Sequence, residues 1–194
     1  AGEPVLTDGG KSVVYKARAN GKLVLIKGDK PLSEPYEDMD EFAFSPDGRS
    51  LAFPAMSGNE WFMMLNGSRI AGPYTQARRA VFSPDGQTIA FAAVAGIRYI
   101  VVRGTARVGD EYDWTSDPLF SPDGNRLVFY NDPDGLQIIN ADGTDRRGAG
   151  QGEFPAWSPS GDRIAIKGCA GSGCGIVLIN PDGSNPVQIT TNPT

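Results

Sequence analysis

Histidine is absent from this 194-residue chain. Its absence removes the usual general base, the Ser-His and Cys-His nucleophile systems and imidazole metal ligands, so most hydrolase mechanisms are excluded and no cofactor is expected. Cysteine is scarce, at two residues. Cys169 and Cys174 bracket Ala170-Gly171-Ser172-Gly173, whose glycines and serine read as a loop between strands. The pair is a candidate disulfide; two free thiols, or half of a shared metal site, are the alternatives. A disulfide would argue for an oxidising compartment. No apolar run approaches the roughly 20 residues of a membrane span, so membrane insertion is not expected. Ala1-Gly2-Glu3-Pro4 lacks the charged and apolar regions of a signal peptide, which implies that any export signal has been removed. Clustered basic charge is missing too. The 18 Lys and Arg are scattered among 23 Asp and Glu, for a net charge of −5, and nucleic acid and anionic membranes are poor partners for such a chain.

What the chain has is a repeat. Phe44-Ser45-Pro46-Asp47-Gly48 returns as Phe82-Ser83-Pro84-Asp85-Gly86 and Phe120-Ser121-Pro122-Asp123-Gly124, each 38 residues on, and then as Trp157-Ser158-Pro159-Ser160-Gly161 after 37. Leu6-Thr7-Asp8-Gly9-Gly10 is a degenerate first copy. Each copy leads into a β-rich run such as Thr88-Ile89-Ala90-Phe91, a third run such as Tyr99-Ile100-Val101-Val102, a second turn and a weaker fourth segment. That is a four-stranded meander. The Ser-Pro-Asp-Gly element is turn chemistry: Pro presets φ, Asp bonds nearby backbone and Gly accepts positive φ. First-strand residues are apolar on both faces, which suits sheets packed between two neighbours. The expected fold is all-β, a five-bladed β-propeller of four-stranded antiparallel blades at about 1–37, 38–75, 76–113, 114–150 and 151–194. At this length one compact domain is the default, with about 70% of the unfolded surface buried.

The aromatic-Ser-Pro-Asp-Gly turn, the strand after it and the Asn-x-Asp-Gly turn of Asn140-Ala141-Asp142-Gly143 and Asn180-Pro181-Asp182-Gly183 resemble the WD-like propeller repeats of the TolB type. The resemblance covers the whole chain. It is most specific in the third to fifth copies, and the second and third share a variant third strand running into Asn66-Gly67 and Arg103-Gly104. It implies a propeller, often an interaction domain of an exported protein, and so a periplasmic or extracellular location. Many members close with six or seven blades, so five copies depart from the pattern. The expectation is a monomer whose first and fifth blades meet by side-chain packing, with the termini close together; an open arc that associates is the competing arrangement.

Three residues before each repeat aromatic stand Glu3, Glu41, Arg79, Asp117 and, allowing for the shorter spacing, Glu153 or Phe154. These are expected to ring the mouth of a central channel, as a polar ligand site or as a solvated rim. Tyr36, Tyr74 and Tyr112, again 38 apart, arrive at the same face, as recognition residues or as packing. Asn131-Asp132-Pro133-Asp134-Gly135 has too few oxygens in sequence for a calcium loop, and no metal is expected there. The acidic stretch 34–41 reads as a solvated loop, or as a surface for a basic partner. Together these point to a non-catalytic binding or scaffold module contacting a protein partner or a small polar ligand. The enzymatic alternative is a carboxylate-pair glycosidase using two of Glu3, Glu41, Asp117 and Glu153.

Overall fold

The computed structural model describes residues 4–170 and 173–190. Five antiparallel sheets follow one another along the chain, each a meander in sequence order. Sheet 1 contains Val5–Thr7, Ser12–Ala19, Lys22–Lys27 and Lys30–Pro31. In sheets 2, 3 and 4 the first strand is interrupted. Its two pieces, Asp38–Met39 and Ala43–Phe44, Gln76–Ala77 and Val81–Phe82, Trp114–Thr115 and Leu119–Phe120, pair with the same second strand: Leu51–Ser57, Ile89–Ala95 and Arg126–Asp132 respectively. Their third and fourth strands are Glu60–Leu65 and Ser68–Tyr74, Arg98–Arg103 and Ala106–Tyr112, Gly135–Asn140 and Arg147–Gly148. Sheet 5 runs Gly152–Trp157, Ile164–Ala170, Gly173–Ile179 and Val187–Gln188.

The repeated turn behaves as its residue types dictate. Gly86 N donates to Ser83 O at 2.8 Å, closing the turn across Pro84 and Asp85, and Thr88 N donates back to Ser83 Oγ at 3.1 Å. The Asp85 carboxylate accepts from the Ser83 hydroxyl and from Gln87 N. Sheets 2 and 4 repeat the pattern with Ser45 and Asp47, and with Ser121 and Asp123. Where Ser160 replaces the aspartate in sheet 5, Asp162 takes over and accepts from both Ser158 and Ser160.

Consecutive turns also fit into one another. A Cβ placed on Gly86, Gly124 or Gly161 would lie 3.4–3.5 Å from the proline Cδ of the preceding turn, Pro46, Pro84 or Pro122.

Neighbouring residues on the middle strands serve opposite interfaces. Met64 packs with Val14, Leu25 and Phe53 between sheets 1 and 2, whereas Met63 packs with Ile89 and Phe91 between sheets 2 and 3. Val101 and Ile139 lie with Phe129 between sheets 3 and 4; Ile138 joins Leu136, Ile164 and Val177 between sheets 4 and 5. Burial on both faces explains why these strands read as continuous apolar runs.

The expected packing of first unit on fifth is not found. Among the described residues none of the four core clusters joins sheets 1 and 5, Leu6 and Ile189 stay exposed, and the Cβ position of Gly10 has nothing within 4 Å. A closed ring would seat the proline of the last turn, Pro159, against Gly10 as Pro122 seats against Gly161. Among the described residues the five sheets therefore form an open series.

Cys169 and Cys174 are directly opposite each other on the last hairpin and form the expected disulfide.

Candidate functional site: a cleft between the fourth and fifth sheets

The interruption in each first strand is a bulge. From Met39 to Ala43 the strand advances four residues while its partner moves three, from Ala55 to Ala52; sheets 3 and 4 repeat this count, and sheet 5 gains one residue between Glu153 and Ala156. The residue before each bulge tip is half-buried in sheets 2 to 4 (Asp40, Arg78, Ser116), and the one after it is buried in all four (Phe42, Ala80, Pro118, Pro155). The tips are Glu41, Arg79, Asp117 and Phe154. Phe154, not Glu153, thus holds the position equivalent to the other three, and Glu153 stands one residue earlier. Glu3 lies outside the described residues.

Polar links join the bulges of sheets 2, 3 and 4 in turn, and tie the first of them back to the second strand of sheet 1. Lys16 Nζ of sheet 1 reaches the carbonyls of Met39 and Asp40 at 3.5 and 3.4 Å. Arg79 Nη1 donates to Glu41 Oε2 at 3.2 Å, joining sheets 2 and 3. Arg78, the preceding residue, turns the other way: its Nε is 3.1 Å from Asp117 Oδ1 and its Nη1 donates to Thr115 O at 3.0 Å, joining sheets 3 and 4. Among the described residues no hydrogen bond or ion pair joins the bulge of sheet 4 to that of sheet 5. There the surface opens into a cleft of ≈ 530 Å³.

Arg78, Trp114, Asp117, Tyr130, Glu153 and Phe154 supply its principal walls. Trp114 and Tyr130 lean on each other with ring centres 6.0 Å apart, and the Arg78 guanidinium lies 5.7 Å from the Trp114 ring centre. Burial pushes the Asp117 carboxyl above the ordinary carboxylate range; Arg78 pulls it back down, while the nearby Asp40 and Glu41 add to the rise. Its Oδ1 is buried and accepts no hydrogen bond. Glu153 makes no ion pair among the described residues. Beside the cleft, in an adjoining pocket, Lys167 Nζ stands 5.9 Å from the Phe154 ring centre.

Phe154 is the anomaly of the cleft. It is 75% exposed, its φ is +53°, and it precedes Pro155. A left-handed conformation costs an L-residue on the order of 1–2 kcal/mol, and a following proline favours extended backbone instead. Such strain persists where the surroundings fix it and concentrates at functional positions.

The three tyrosines occupy the sheet interfaces. Tyr36 meets Phe53, Tyr74 meets Phe91 and Tyr112 meets Phe129, at centroid distances of 6.0, 5.9 and 5.6 Å, each crossing to the next sheet. Tyr112 is only 3% exposed, which bars it from a surface contact. Of the sequence-predicted site residues, the cleft brings together Asp117 and Glu153; Glu41 and Arg79 pair with each other beside it. Arg78, Trp114 and Tyr130 were not singled out by the repeat, because each differs in type from its counterparts one unit away.

A second cleft, ≈ 520 Å³, involves Arg126, Asn140, Asp145, Arg147, Asn180 and Asp182. Its charged groups are engaged in turns and internal pairs: Arg147 Nη2 is 2.9 Å from Asp145 Oδ2, and Asp182 accepts from Ser184.

No family model matches the chain, and no curated protein matches it in sequence. Solved structures do match its fold. TolB from Acinetobacter baumannii is 17% identical with a TM-score of 0.58, over 93% of this chain and 51% of that one. An oligogalacturonate lyase in complex with manganese is 15% identical with a TM-score of 0.68, over 97% and 64%. A eukaryotic initiation factor is 12% identical with a TM-score of 0.61, over 96% and 54%. The chain spans about half to two thirds of the length of these structures, and at such identities the likeness is one of fold: this chain has propeller-like architecture built from four-stranded antiparallel sheets.

Proposed function

We propose that the chain is a binding module, five consecutive blades of a propeller, that takes a small polar ligand or a segment of a protein partner in the cleft between sheets 4 and 5. The observation that carries the reading is the lapse in the bulge-to-bulge links at this one interface, where two carboxylates, an arginine and exposed aromatic rings converge on open space. Concave sites with a few convergent polar groups and apolar walls are what ligands use. The disulfide and the likeness to TolB favour an oxidising, periplasmic or extracellular setting.

A panel of divalent cations, oligosaccharides and short peptides, read by thermal unfolding, tests the reading. A ligand at about 100 times its dissociation constant adds roughly 2.7 kcal/mol of stability. A shift that disappears in Asp117→Ala and Glu153→Ala places the ligand in the cleft; a shift that both variants retain removes the cleft from consideration.

The carboxylate-pair alternative has one observation in its favour. Asp117 carries a raised carboxyl, as a general acid requires, and shares its cleft with a second acid, Glu153. Turnover of a glycan by the wild type that Glu153→Gln abolishes would establish it.

A further inference from the structure

Resting on that reading of the cleft, the chemistry of its walls narrows the ligand. We propose that Phe154 and Trp114 are a stacking platform for a neutral oligosaccharide, one pyranose ring lying against Phe154 with its hydroxyls on Arg78 and Glu153. Three observations carry this. First, Phe154 is exposed and held at positive φ before a proline, so the fold maintains an uncovered aromatic ring in a backbone conformation that the ring itself disfavours. Second, charges of both signs flank the two rings: Arg78, Asp117 and Glu153 in the cleft, and Lys167 beside Phe154 in the adjoining pocket. A ligand with net charge would meet a like charge on either wall, whereas hydroxyls accept from the guanidinium and donate to the carboxylate. Third, Arg78 and Lys167 already lie 5.7 and 5.9 Å from the centres of the Trp114 and Phe154 rings. Cationic ligands would therefore compete with cations in place, while the weakly apolar C–H face of a sugar can use the exposed ring surface that remains.

Calorimetric titration of the full chain with cellohexaose, maltohexaose, mannohexaose and xylohexaose, alongside hexagalacturonate and hexalysine, tests the proposal. At least one neutral hexasaccharide binds with a dissociation constant below about 1 mM. Phe154→Ala and Trp114→Ala each weaken it by about tenfold or more, and Phe154→Trp retains it. Phe154→Gly is the sharper variant: it relieves the backbone and raises the melting temperature while losing the sugar, an opposition that a purely structural residue would not show. If hexalysine or hexagalacturonate binds in preference and the same variants lose it, the cleft is a binding site and the carbohydrate assignment is overturned. If neutral sugar binds equally to wild type, Phe154→Ala and Trp114→Ala, the platform is overturned, and the cleft reading is decided by Asp117→Ala and Glu153→Ala in the thermal panel. If none of the six probes binds, the carbohydrate assignment falls, and the cleft reading is decided by the cation and peptide arms of the thermal panel.

Discussion

Arg78 and Asp117, 39 residues apart in sequence, face each other from adjacent sheets with Nε and Oδ1 at 3.1 Å. The arginine is the better sheltered partner, and its donation to Thr115 O pins it to the start of the fourth sheet. Removing it in Arg78→Ala leaves the Asp117 oxygen buried without its counter-ion, and we expect a loss of about 1–2 kcal/mol by urea unfolding. Asp117→Asn, which removes the charge instead of stranding it, costs less. Equal losses for the two variants would mean that the pair contributes packing alone.

Tyr112→Ala is expected to cost about 3 kcal/mol or more, because a fully buried ring is deleted from the interface with Phe129. Tyr36→Ala, at a half-exposed position, costs less. If either change lowered partner binding without lowering stability, the tyrosines would be recognition residues after all.

Much of this was legible in the residues. The 38-residue spacing located all five sheets, since each Ser-Pro-Asp-Gly turn is a local structure whose hydrogen bonds close within a few residues. The even spacing of Tyr36, Tyr74 and Tyr112 fitted recognition and packing alike; the contacts with Phe53, Phe91 and Phe129 put the rings between sheets. Other features were hidden by distance in sequence. Counting three residues back from each repeat aromatic reaches Glu41, Arg79 and Asp117, but that these positions are bulges, and that Arg79 turns back to Glu41 while Arg78 reaches forward to Asp117, depends on how strands and sheets meet in space. The positive φ of Phe154 has no signature in sequence; Phe-Pro argues for the opposite.

Asp47, Asp85 and Asp123 are held below the ordinary carboxylate range, first by their serine hydroxyls and then by backbone N–H groups two residues on. A folded-state value below the unfolded one gives stability that is present above about pH 4 and is lost as pH falls through the lowered values. Asp117 has the opposite sign: its raised value makes protonation favour the fold, so its unfavourable contribution is relieved as pH falls through that value toward about 4. Melting curves between pH 7 and 3 are expected to show a fall below about pH 4 that the pair Asp85→Asn and Asp123→Asn flattens. Asp117→Asn removes the opposing gain just above it. An unchanged profile in the double variant would show that the turn carboxylates do not govern acid unfolding.

Reducing the Cys169–Cys174 bridge, which closes a short loop at the tip of the last hairpin, is expected to cost roughly 2 kcal/mol on loop entropy alone. The Cys169→Ser, Cys174→Ser double variant should lose the same amount without reductant. A melting temperature indifferent to both treatments would assign the bridge no part in global stability.

Gly124 sits at φ +73° with Pro84 Cδ 3.5 Å from the place of its missing Cβ, whereas nothing stands within 4 Å of that place on Gly48. Gly124→Val should therefore destabilise by about 1 kcal/mol more than Gly48→Val, since both meet the left-handed penalty but only one also crowds the neighbouring turn. Equal losses would show that the proline contact is slack.

That seat of one turn on the last is the same at the three joints from sheet 2 to sheet 5: a proline offered forward, a glycine offered back. A rule of this kind has direction but no arithmetic. Each joint can recognise its successor without registering how many preceded it, so the number of units cannot be written in the joints. It belongs to the accumulated rotation between sheets, a property of the series that no single turn contains.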